Sequence, residues 1–327
     1  MRAVLCREWG GPETLALGEA EAPAPGPGQV LVQVAAAGVN FADLLMVAGE
    51  YQEKPPFPFS PGLEVAGRVV AVGEGVSRVA PGERVLALTD GGGFAEAAVA
   101  RESDVFALPD EMDFVTAAGF PITYATAHGG LVWRAALQPG ELLLVHGAAG
   151  GVGLAAVEVG KALGATVIAT AGGPDKLAVA GAHGADHLID YKRQDIRERV
   201  KALTGGRGAD VVFDPVGGEV FDASLRCVAW GARLVVIGFA AGRVPQIPAN
   251  ILLVKNLAAT GLYWGSYRKR APELLVPQFE QLFAWFRAGK LEPHVSHTLD
   301  LAQAAEALAL LGERRSTGKV VLTTGIP

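Results

Sequence analysis

Three evenly spaced glycines offer the most legible chemistry in the chain. Gly147, Gly150 and Gly153 lie in HGAAGGVG, after the apolar run Leu142 to His146 and before Val152 to Leu163, whose apolar positions recur at helical spacing. Bare glycines let backbone amides approach a pyrophosphate, and the helix N-terminus behind them adds a partial positive charge worth roughly 0.3 to 1 kcal/mol at an exposed site. A dinucleotide is therefore expected on Ala149, Gly150, Gly151, Val152 and Gly153. The spacing departs from the common Gly-x-Gly-x-x-Gly, and a turn of this kind can equally serve only to pack a helix against a strand. The strand that follows, Thr166 to Thr170, completes a βαβ unit and favours the nucleotide. Residues 167–173 (VIATAGG) carry no carboxylate for ribose hydroxyls, and Lys176 follows close behind. That pattern favours NADPH over NADH.

The elements that hold such a turn follow from periodicity. A chain of 327 residues exceeds what one core usually supports, and 50% hydrophobic against 19% charged residues is enough to build two. From residue 1 to about 120, short runs such as Val30 to Ala36, Val65 to Val72 and Val85 to Leu88, bounded by Gly and Pro, read as a small β-barrel or sandwich. From about 123 to 263 a short apolar run, Leu142 to His146, is followed by further mainly apolar runs (Thr166 to Thr170, Asp210 to Phe213, Arg233 to Ile237, Ala258 to Tyr263) that lack alternation and are separated by helical segments. Strands without alternation are covered on both faces, so this α/β region is expected to be a doubly wound parallel sheet of about six strands. The stretch after 263, with amphipathic Glu273 to Ala288 and a last strand Lys319 to Leu322, is expected to return to the first domain. The aromatic stripe Phe279, Phe283, Trp285 and Phe286 reads as core packing.

Composition excludes several classes. The net charge of −6 offers no polybasic footprint for nucleic acid, and no stretch reads as a membrane span, so a cytoplasmic protein is expected. Two cysteines, Cys6 and Cys227, are too few for a disulfide framework or a four-thiolate zinc site.

The first region carries a second signal. Gly38-Val39-Asn40-Phe41-Ala42-Asp43 and Pro61-Gly62-Leu63-Glu64-Val65-Ala66-Gly67, with PITYATA around Thr126, HGAAGGVG, Asp214-Pro215-Val216-Gly217 and Ser316-Thr317-Gly318-Lys319-Val320, resemble motifs of the medium-chain dehydrogenase/reductase superfamily. In its zinc alcohol dehydrogenases a Cys stands where Asn40 is and a His where Leu63 is, so the chain resembles the zinc-free, zeta-crystallin-like quinone oxidoreductase branch, and no metal site is expected. The resemblance implies a GroES-like β-barrel catalytic domain (1–122 and 264–327), a Rossmann cofactor domain (123–263) and a homodimer formed between cofactor domains. It implies that Gly172, Lys176, Tyr191 and Arg315 serve the adenosine 2′-phosphate end, Thr126 the nicotinamide ribose, and Val216, Gly238, Phe239, Leu262 and Tyr263 the nicotinamide half. Asn40 is expected to contact cofactor or substrate.

Without a Lewis-acid metal, the acceptor must delocalise its own developing charge, as quinones and α,β-unsaturated carbonyls do. Asn40, as an amide donor, and Tyr51, as a phenol donor, are the candidate catalytic residues of an NADPH:quinone oxidoreductase or enone reductase. The other reading is a non-catalytic NADPH-binding, crystallin-like or RNA-binding protein. The cluster Arg268-Lys269-Arg270 is a local basic patch of the kind that reading would use.

Overall fold

Two short strands, β1 (Arg2–Cys6) and β2 (Leu15–Glu19), pair antiparallel and precede the long strand β3 (Gln29–Val39). A computed structural model describes residues 1–326 and divides into two units, Met1–Ile122 with the chain from Pro293 onward, and Thr123–Glu292.

In the first unit β3 is followed by α1 (Phe41–Val47), β4 (Glu64–Val72), β5 (Arg84–Leu88), β6 (Ala97–Arg101), β7 (Val105–Ala107) and α2 (Phe114–Ala118). Val30, Val32 and Val34 alternate into the core, as a strand with one packed face requires. Asp113 caps α2 by accepting the Thr116 N–H.

The second unit is entered through α3 (Pro121–His128) and runs β8 (Leu142–Val145), α4 (Gly151–Ala162), β9 (Thr166–Ala171), α5 (Pro174–Ala182), β10 (His187–Asp190), α6 (Ile196–Leu203), β11 (Ala209–Asp214), α7 (Gly218–Ser224), β12 (Val228–Val236), α8 (Ala249–Lys255) and β13 (Ala258–Gly261). The six strands are parallel in the order β10-β9-β8-β11-β12-β13. Wholly apolar β8 falls at the centre beside β11, as its lack of alternation predicts. The sixth strand, β10, has too mixed a pattern to stand out in the sequence, because an edge strand buries less.

The helices α9 (Tyr267–Arg270) and α10 (Leu275–Arg287) also belong to this unit. This corrects the expected boundary at 263: residues 264–292 do not return to the first domain. Trp264 Nε1 donates to Gln278 Oε1 (2.9 Å), Gln278 Nε2 donates to the Ala125 carbonyl (2.8 Å), and Phe279 and Phe283 bury their rings. An amphipathic helix needs only an apolar partner, and α3 with its neighbours supplies one. The return begins with β14 (Val295–Asp300), α11 (Ala304–Gly312) and β15 (Lys319–Thr323), giving the first unit the order β14-β15-β3-β4-β5-β7, with β6 also on β3. Among the described residues no helix is long and apolar enough to cross a membrane.

Candidate active site

The glycine turn joins β8 to α4. A β-carbon on Gly153 would lie 2.2 Å from the Gly147 carbonyl oxygen, so the turn closes only because position 153 has no side chain. Gly150 differs: a β-carbon there meets nothing nearer than the Gly147 oxygen at 3.4 Å, and the residue is exposed. It is the N-cap of α4, and no side chain caps that helix. Amides of Gly151, Val152 and Gly153 thus begin a twelve-residue helix whose N-terminus faces outward, which is the arrangement a pyrophosphate needs.

The predicted residues of this unit fall along the carboxyl ends of its parallel strands, where ligands of open α/β sheets bind. A β-carbon on Gly147 would be 3.2 Å from Val216 Cγ2, which brings the ends of β8 and β11 together. The buried Asp214 carboxylate fixes that corner by accepting the Val216 (2.7 Å) and Gly217 (2.9 Å) N–H groups through Oδ1. Gly238 N–H reaches the Asp214 carbonyl (3.4 Å), and Phe239 lies over Gly217 and is 41% exposed. Leu262 N–H donates to Val236 (3.0 Å) and is buried, whereas Tyr263 beside it is 46% exposed. Thr126 is buried on α3. At the other side, a β-carbon on Gly172 would be 2.7 Å from Tyr191 Oη, so these two sites meet; Lys176 stands on the first turn of α5.

His146, at the end of β8, is held between Thr170 Oγ1 (2.9 Å) and Ser224 Oγ (2.7 Å), and burial pushes its pKa down. It is a neutral core histidine.

Three motifs of the first unit converge on one buried polar cluster. Lys319 Nζ donates to Asn40 Oδ1 (2.7 Å), Glu64 Oε1 (2.7 Å) and the Val39 carbonyl (2.8 Å). Asn40 Nδ2 donates to the same Glu64 oxygen (2.8 Å), and Glu64 Oε2 accepts the Ile122 N–H (2.8 Å). Gly38 leaves room for it, since a β-carbon there would lie 2.4 Å from Glu64 Oε1. Asp43, fully buried at the start of α1, accepts N–H groups from Asn40 (2.8 Å) and Gly62 (3.2 Å), yet burial raises its pKa to about 7. Asn40 is therefore committed at both ends of its amide. Its other contact, Nδ2 to the Gly38 carbonyl, is 3.4 Å long. Tyr51 follows α1, where the Leu45 carbonyl accepts both the Glu50 (2.8 Å) and Tyr51 (3.1 Å) N–H groups, and its ring is half-buried against the core. Arg315 pairs with Glu313 (3.0 Å) on the surface after α11.

Residues 26–110 match the alcohol dehydrogenase GroES-like domain, and residues 151–281 match the zinc-binding dehydrogenase domain. The chain is 44% identical to the quinone oxidoreductase-like protein 2 homolog of Nematostella vectensis, over 99% of this chain and 89% of that one. It is similar to the crystal structure of Escherichia coli quinone oxidoreductase complexed with NADPH, with a TM-score of 0.93 and 31% identity over 99% and 100% of the two chains. The crystal structure of an NAD-dependent alcohol dehydrogenase is also similar, with a TM-score of 0.90 and 34% identity over 99% of this chain and 100% of that one. The chain belongs to the quinone oxidoreductase family of the medium-chain dehydrogenases/reductases.

In this family member the residues at the positions compared with zinc ligands do not fit a metal. Asn40 spends its amide on Glu64 and Lys319, and Leu63 is buried in the hydrophobic core. Among the described residues no three His, Cys, Asp or Glu side chains are grouped as ligands.

Sequence reasoning assigns Glu64 and Lys319 no role beyond membership of their motifs, and it does not mark Glu158 or Asp190. A single charge within an apolar segment is the signal that Glu64, Lys319 and Glu158 carry, whereas Asp190 stands among other charges and carries none. Glu158 on α4 accepts from Tyr124 Oη (2.6 Å), His183 Nδ1 and the Glu292 N–H (3.1 Å). The Asp190 carboxylate lies at the Gly172–Gly173 turn, so an acid does reach the end of β9, from the neighbouring strand.

Proposed function

We propose that the chain is an NADPH-dependent reductase that passes hydride to quinones or α,β-unsaturated carbonyl compounds without zinc. The observation that carries this reading is the glycine turn: Gly153 closes it, Gly150 leaves it open, and α4 starts uncapped behind it. NADPH, when bound, supplies the hydride. Amides of α4 hold its pyrophosphate, joined by Ala149. Gly172, Lys176, Tyr191 and Arg315 take the 2′-phosphate end, and Thr126, Val216, Gly238, Phe239, Leu262 and Tyr263 the nicotinamide half. The E. coli relative bound to NADPH supports this assignment.

On the acceptor side the chain offers hydrogen-bond donors and no Lewis acid. One Nδ2 hydrogen of Asn40 is held tightly by Glu64; the other, which makes only the 3.4 Å contact to Gly38, is the one assigned to cofactor or substrate oxygen. The Tyr51 phenol holds the proton that the reduced acceptor needs. Acceptors that spread charge through conjugation suffice with donors of this strength.

Trp230 (76% exposed), Leu253 (78%) and Val254 (76%) lie on the side of the sheet that ends in β13, and a second copy covering them gives a homodimer through the cofactor units. Two free, buried cysteines suit a reducing, cytoplasmic setting.

The test is a panel of quinones and 2-alkenals with NADPH and NADH in parallel. NADPH oxidation with at least one acceptor is expected. No oxidation with any of them overturns the reductase reading, and NADPH binding without turnover supports a non-catalytic binder.

A further inference from the structure

The turn after β10 carries a cation that none of the assignments above uses. Asp190, the last residue of β10, accepts the Gly173 N–H (3.2 Å) and the Lys192 N–H (3.0 Å) through a single oxygen, Oδ1. Its own N–H donates to Gln194 Oε1 (3.1 Å), which closes the turn. One carboxylate thus ties the turn after β10 to the glycine pair that follows β9. Above that pair two side chains fold back together. A β-carbon on Gly172 would stand 2.7 Å from Tyr191 Oη and 3.0 Å from Lys192 Cε. The Lys192 residue is exposed, and among the described residues no ion pair engages its ammonium. The nearest charge to Asp190 Oδ2 is Arg193 Nε at 3.9 Å.

We propose that Lys192 is a further specificity-determining residue, a cation beside Tyr191 that selects a nucleotide carrying a 2′-phosphate, and that Asp190 is the positioning residue that holds it there. This deepens the NADPH reading and rests on it. An ammonium gives a phosphate a charge-assisted contact that a 2′-hydroxyl cannot repay, so its loss weakens one nucleotide and spares the other. Asp190 acts through acceptor geometry: Oδ1 needs to accept two N–H groups, and an amide oxygen at that place can do the same.

The experiment measures binding of 2′,5′-ADP and of 5′-AMP to the full chain by calorimetry, with no acceptor present. Wild type is expected to prefer 2′,5′-ADP. Lys192→Ala is expected to raise the Kd for 2′,5′-ADP by about tenfold, the size of one charged hydrogen bond, with 5′-AMP unchanged; Lys192→Arg should restore the preference. Asp190→Ala should lose the preference and Asp190→Asn should keep it. If wild type binds both nucleotides equally, the NADPH reading itself fails. If wild type prefers 2′,5′-ADP and Lys192→Ala keeps that preference, Lys192 has no such role and the NADPH reading stands. Retention of the preference by Asp190→Ala overturns the positioning role.

Discussion

The Lys319 ammonium stands 2.7 Å from both Asn40 Oδ1 and Glu64 Oε1, so a residue from the last strand neutralises the Glu64 carboxylate and orients the Asn40 amide, both from the first half of the chain. Both charged side chains are buried. Breaking such a pair leaves an uncompensated charge, which costs about 3 to 5 kcal/mol, whereas replacing both partners with apolar residues is often near neutral. Lys319→Met is therefore expected to lower stability by about that amount in urea unfolding, and Lys319→Met with Glu64→Leu to recover most of it. Equal loss in single and double variants would show that the ion pair is not what matters.

Gly153 and Gly150 of the turn should separate stability from binding. Gly153→Ala forces a contact with Gly147 and is expected to cost about 1 to 3 kcal/mol as well as nucleotide affinity. Gly150→Ala makes only an ordinary contact, 3.4 Å to the Gly147 oxygen, and should leave Tm nearly unchanged while weakening NADPH, because the methyl group stands where the pyrophosphate approaches. Thermal melts with and without NADPH distinguish the two.

Asn40 and Tyr51 should likewise differ in kind. Asn40→Ala strips a partner from both Lys319 and Glu64, so turnover and Tm should fall together. Tyr51→Phe removes one hydroxyl and should lower kcat by about a hundredfold with Tm preserved. Steady-state rates beside melting curves are the measurement, and unchanged kcat in both variants would remove the pair from catalysis.

His183 makes stability depend on pH. Its hydrogen bond to Glu158 raises its pKa above the ordinary 6.5, so the folded protein holds the proton more tightly than the unfolded chain. That contribution is complete below about pH 6.5 and disappears as pH rises through the raised folded value. Wild type should lose Tm more steeply than His183→Gln between neutral and alkaline pH. The Tyr124 phenol, driven well above its usual range by burial and by Glu158, stays protonated throughout and does not confuse the result.

Assembly through the exposed edge is checked by charge. Leu253→Glu, at a site 78% exposed, should fold normally and sediment as a monomer, while wild type sediments as a dimer.

Much of this could be read from residue order, and the omissions have a common cause. Wholly apolar Leu142–Val145 announced a central parallel strand, and Gly147, Gly150 and Gly153 announced the turn behind it. His187–Asp190 did not stand out because an edge strand buries one side only in part. Residues 264–292 pack in the second unit and not the first, a choice their pattern does not encode, because an amphipathic helix records that it has a partner and not which one. Asn40 was visible as a polar residue in a motif, but its commitment to Glu64 and Lys319 depends on contacts across 24 and 279 positions, which no local pattern encodes.

The strand β15 has a consequence for how the molecule is made. It fills the edge of β3 beside Ala36 to Val39 and brings Lys319 with it, yet it is synthesised after the whole of Thr123–Glu292. On the ribosome, the inserted unit can finish its sheet while the earlier barrel still has a gap in its wall and an acid without a counter-ion. Until the final strand emerges, that gap is an open template for any passing extended chain, and a nascent chain stalled before Lys319 is the species most in need of a chaperone.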